Sequence, residues 1–110
     1  MLFEQLERSP EKIQFKEVIA FIDEHYDFTP TKFINGNTVN EAGQNNGSCK
    51  IFSFAQLNDL SKEETLNLFG EFYREDVLKN PDGTGHQNIR NFMESGWEGV
   101  SFEEKALVRK

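Results

Sequence analysis

The sequence predicts a mostly α, α+β domain: a compact bundle of about four helices with a small β-hairpin and a long Asn/Gly-rich loop. Three observations carry this. Apolar residues recur at helical spacing in separate stretches, most of them opened by a helix-start signal. An Asn-Gly step lies between two short runs in the pattern of a tight hairpin. The stretch Asn35–Cys49 holds five asparagines, three glycines, one acid and no base. It is too poor in apolar side chains to fold by burial, and too poor in charge for a typical solvated linker. Asn and Gly together imply backbone held in turns and pinned by amide side chains, as an elaborate structural loop or as a binding site.

Residues 1–8 read as a short helix or a loose arm. Ser9-Pro10-Glu11 is a helix start, with a serine cap, proline at the first position and then an acid. Phe15, Val18, Ile19 and Ile22 follow as a core-facing stripe, so this helix is expected to run to about Glu24 or His25. Thr29-Pro30 breaks the chain, and Lys32–Ile34, Asn35–Asn37 and Thr38–Asn40 read as strand, turn and strand. Ser48 is placed to cap a helix over Cys49–Asn58 with Ile51, Phe52 and Ala55 on one face; a buried strand over Lys50–Phe54 is the alternative. Ser61 and Glu64 form a capping box that opens a helix to about Leu78, with Leu66, Phe69, Tyr73 and Val77 inward. Pro81-Asp82-Gly83 is a turn, and a further helix is expected from about His86 to Glu94, ended by Gly96. Trp97 and Val100–Phe102 are expected to fold back on the core, with residues 103–110 as a frayed tail.

A chain of 110 residues makes one domain, 1–110, able to bury a core without disulfides or metals. The net charge of −7 argues against nucleic acid and anionic membranes as partners, since both need a basic face. The charge is uneven: residues 28–58 contain only Glu41 against Lys32 and Lys50, so the acidity lies elsewhere and this middle segment could hold a ligand without repulsion. One cysteine forms no internal disulfide, no apolar run is long enough to span a membrane, and no secretory signal is visible.

Phe33-Ile-Asn-Gly, Asn40-Glu-Ala-Gly-Gln-Asn-Asn-Gly-Ser-Cys-Lys, Phe69-Gly-Glu-Phe-Tyr-Arg, Asp76-Val-Leu and His86-Gln-Asn-Ile-Arg-Asn-Phe-Met through Gly96-Trp97 together resemble the HopJ type III effector family. The resemblance spans roughly residues 10–102. It implies a bacterial protein, cytoplasmic or delivered by a type III secretion system. It supplies no biochemical activity and no catalytic residue.

The residues themselves suggest two kinds of chemistry. Cys49, placed at the first turn of a helix with Lys50 beside it, could be a nucleophile, because helix N–H groups favour a thiolate; the alternative is a small packing residue. His86, also at a helix start, could be a general base, or could brace the Pro81–Gly85 turn. A Cys49–His86 dyad would make a small cysteine-dependent hydrolase or transferase. Asn45, Asn46, Lys50, Asn88 and Arg90 could instead bind a small polar or anionic ligand, or a protein partner, near two helix N-termini. The structural alternatives are an Arg90 salt bridge and asparagines that satisfy the loop's own backbone. Glu41 lacks a visible partner carboxylate, and His25 and Trp97 read as structural. No metal, cofactor or phosphate-loop spacing is present.

Overall fold

A computed structural model describes residues 2–110. The fold is α+β, as the sequence implies, but with six helical segments rather than about four: α1 (Leu2–Arg8), α2 (Phe15–His25), α3 (Asn46–Leu57), α4 (Lys62–Leu68), a π-helical segment (Phe72–Val77) and α5 (Gln87–Ser95). Five three-residue strands complete it: β1 (Tyr26–Phe28), β2 (Phe33–Asn35), β3 (Thr38–Asn40), β4 (Val100–Phe102) and β5 (Leu107–Arg109).

The central helix is α3. Ile51, Phe52, Phe54 and Ala55 are all fully buried, so its middle turn is enclosed on every side rather than along one stripe, while Gln56 and Leu57 at its end are exposed. Phe52 meets Phe33, Phe69, Phe92 and Trp97 on one side, while Phe54 meets Phe3, Phe21 and Tyr26 on another. The strand alternative for Lys50–Phe54 arose from this two-sided burial, which produces an apolar run without a single helical face.

β2 lies between β3 and β4 in an antiparallel sheet. The hairpin pairs Asn35 with Thr38 across a Gly36-Asn37 turn, and Gly36 takes the positive φ of 64° that such a turn requires. Residues 103–110 are not a loose end: the Glu103 N–H donates to the Lys32 carbonyl at 3.0 Å, Leu107–Arg109 pairs antiparallel with Tyr26–Phe28, and Leu107 is 1% exposed.

Two helix boundaries differ from expectation for one reason. Pro10–Lys12 makes only a 3₁₀ turn, Ser9 caps nothing, and α2 begins at Phe15. The expected helix from Ser61 to Leu78 also stops early, at Leu68, although its capping box is present. The two breaks pack against each other. Gly70, at φ 60°, brings its backbone so close to residues 13–15 that a Cβ there would lie 2.6 Å from the Phe15 nitrogen. The Phe15 N–H, left free at the start of α2, donates to the Glu71 carboxylate at 2.9 Å. Beyond this contact the chain resumes as the π-helical segment, which turns Phe72 and Asp76 towards α5.

Gly70→Ala should therefore destabilise the protein by about 2–4 kcal/mol, combining left-handed strain with a backbone clash. Urea unfolding would check this, and a change below about 0.5 kcal/mol, the range of ordinary surface substitutions, would contradict the packing described.

Candidate functional site

The N-termini of α3 and α5 open onto one cavity of about 340 Å³. Phe15, Phe69, Phe72 and Ile89 form its apolar wall; Thr38, Asn45, Ser48, His86, Gln87 and Asn88 form its polar wall. Among the described residues no carboxylate lines it, although the chain carries 19 acids. Neither helix has a side-chain cap, so their first N–H groups remain without that partner. Both N-cap residues, Asn45 (φ 51°, ψ 48°) and His86 (φ 55°, ψ 50°), are left-handed, a conformation that costs a non-glycine residue energy.

The apolar wall depends on glycine. A Cβ on Gly47 would lie 2.7 Å from the Phe15 ring, so only glycine lets that ring cover the first turn of α3. Phe15 then packs on Phe72, with ring centres 4.7 Å apart, and Phe72 stacks on the His86 imidazole at 4.9 Å and 22°. The opposite ring edge is held as well, because His86 Nε2 lies 3.0 Å from Asp76 Oδ2.

The polar wall is part of a buried amide network. Asn88 Nδ2 donates to Asn40 Oδ1 at 2.9 Å, and Asn40 Nδ2 donates back to Asn88 Oδ1 at 3.2 Å. Asn35 Nδ2 donates to the Asn88 carbonyl and side-chain oxygens at 2.8 and 3.0 Å. Asn45 Nδ2 donates to Asn40 Oδ1 at 2.6 Å, joining the α3 cap to the hairpin. Asn91 Nδ2 donates to the Asn35 carbonyl at 3.0 Å and to Thr38 Oγ1 at 2.7 Å. Hairpin, α3 start and α5 are thus linked by side-chain amides.

The structure brings together His86, Asn45 and Asn88, and places the other candidate residues elsewhere. Lys50 Nζ is 2.8 Å from Asp23 and lies over the Phe28 ring, away from the cavity lining. Arg90 donates to the backbone carbonyls of Gly85 at 2.6 Å and Asn80 at 2.8 Å, bracing the 80–85 turn rather than pairing with an acid. Asn46 is exposed outside the lining, and Glu41 is exposed on the loop. His25 packs on Phe21, and Trp97 donates from its indole nitrogen to the Leu60 carbonyl at 3.1 Å.

Cys49 sits one turn deeper than the sequence implies. Helix α3 begins at Asn46, so the Cys49 N–H already donates to Asn45 O at 3.0 Å and lends nothing to a thiolate. The side chain is 1% exposed, and burial pushes the thiol pKa up, partly offset by hydrogen bonds from the Thr31 backbone and the Ser53 side chain. Among the described residues no hydrogen bond joins Cys49 to His86. Sequence reasoning missed Asp76 and Phe72, because only the break at Gly70 and the π-helical segment aim them at His86.

The sequence model of the HopJ type III effector protein family matches residues 1–107. A solved structure, described as the crystal structure of the unknown function protein VPA0580, is similar at a TM-score of 0.96 and 59% identity. The match covers 98% of this chain and 90% of that one. A comparison with curated proteins finds no match. Among the described residues, no helix is long and apolar enough to cross a membrane.

Alkylation of Cys49 should be slow in the folded protein and fast once it unfolds; rapid modification under native conditions would contradict the burial described. The raised thiol pKa also has a sign in stability. Its contribution is fully present below the unfolded thiol value of about 8.5 and is lost as pH rises towards the folded value, because the unfolded chain gives up that proton first. Cys49→Ala should remove this part of the alkaline loss of stability, as read by urea unfolding across pH.

Proposed function

The chain belongs to the HopJ type III effector protein family, and we propose that it is a binding protein for a small polar or anionic molecule held in the cavity between the α3 and α5 N-termini. The observation that carries this reading is the convergence of two uncapped helix starts, each with a left-handed N-cap residue, on one partly apolar cavity. A concave site with aromatic walls and a few fixed polar groups is the usual form of a small-molecule site. The asparagines around it supply both donors and acceptors, and their bonds to one another hold them in place before any ligand arrives. Delivery through a type III secretion system, which the family description denotes, is a companion expectation and is separate from what the cavity does.

A cysteine-dependent hydrolase or transferase is the weaker reading. It needs an accessible, readily ionised thiol, and the surroundings of Cys49 favour neither property.

Amide-resolved NMR with a panel of small polar and anionic fragments tests the binding reading. Binders should shift the amides of Gly47, Ser48, Gln87 and Asn88 together. A fragment held at 100 times its Kd should stabilise the fold by about 2.7 kcal/mol. Fragments that shift only other surfaces, or none that shift any amide, would refute it.

A further inference from the structure

The His86 ring is fixed from three directions. Its backbone is the left-handed N-cap of α5, its face lies on Phe72, and Nε2 meets the Asp76 carboxylate at 3.0 Å. An ionised carboxylate only accepts hydrogen bonds, so Nε2 must carry the proton in that pair. In the neutral imidazole the other ring nitrogen, Nδ1, then offers a lone pair. Among the described residues no hydrogen bond involves Nδ1, and the side chain lines the cavity. The two cations that the sequence suggested for an anion site, Lys50 and Arg90, are bonded elsewhere. The rings of Phe15, Phe69 and Phe72 also line the cavity, Phe72 directly against the imidazole.

We propose that the cavity selects a small planar aromatic molecule bearing a hydroxyl group, of the phenol class, with the ring against Phe15 and Phe72 and the hydroxyl donating to His86 Nδ1. Asp76 is the positioning residue: it touches no ligand, but it holds the tautomer and the plane of the imidazole. Phenol fits this description, while anisole, its methyl ether, keeps the ring and loses the donor. The proposal rests on the cavity being a binding site and adds the chemistry that the site prefers.

The test is an NMR titration of the full chain with phenol and with anisole. It is run in mildly alkaline buffer, with the ring nitrogen shifts of His86 recorded in parallel to read its tautomer directly. Phenol should bind about tenfold more tightly than anisole, the worth of one neutral hydrogen bond. The ring shifts should report the Nε2–H tautomer. Asp76→Ala, a change at an exposed side chain, should weaken phenol several-fold and leave anisole unchanged. Equal binding of phenol and anisole at the cavity amides, or an Nδ1–H tautomer in the wild-type protein, would overturn the proposed class while leaving the cavity as a binding site. Failure of both probes, and of the wider fragment panel, to move the cavity amides would remove both readings.

Discussion

The arrangement around the cavity depends on a cluster of buried asparagines. Asn35, Asn40, Asn88 and Asn91 are 0%, 1%, 6% and 7% exposed, and they join the β2–β3 hairpin to α5 through side-chain amides. Buried amides are costly unless paired, and each one left unpaired costs about 1–3 kcal/mol. The cluster is therefore stable only as a set, and it admits one placement of the hairpin on the helix. The amide orientation of Asn35 follows from its partners. Its Nδ2 faces two oxygens of Asn88, so turning the amide over would set oxygen against oxygen. The cost of that orientation is visible at Asn35 Oδ1, which is buried with no partner among the described residues.

The aromatic core sets the other half of the site. Phe52 at the centre of α3 contacts Phe33 of the hairpin and Phe92 of α5, the same two elements that the amides join. Apolar packing and amide bonding thus specify one relative placement, which is the consistency expected of a unique fold. On the far side, Gly47 and Gly70 allow Phe15 to close over the α3 start and beside the π-helical segment. Neither contact involves the asparagines. The cavity lies where the amide-bonded layer and the glycine-dependent aromatic layer meet.

Much of this was legible in sequence. The capping box at Ser61, the hairpin turn and the end of α2 at His25 followed from local chemistry, which depends on neighbours in the chain. The break of the helix after Leu68 did not, because Gly70 acts on residues 13–15 and that approach exists only in three dimensions. For the site, His86 and the Asn/Gly loop stood out by residue type, and the fold does bring His86 beside Asn45 and Asn88. Lys50 and Arg90 were suggested by charge and helix spacing alone, and tertiary partners claimed both. Asn35, Asn40 and Asn91 carried no separate signal as a network, since the pairing of distant amides leaves no local pattern.

The most direct test of this account is hydrogen exchange on Asn88→Ala. Removing that side chain strips partners from Asn35 and Asn40 while leaving the aromatic contacts of α3 in place. The account predicts that the hairpin amides of residues 33–40 lose protection far more than those of α2 and α3, and that the chain stays folded. Unchanged hairpin protection, or an equal loss across hairpin, α2 and α3, would show that the amides do not hold the hairpin in place.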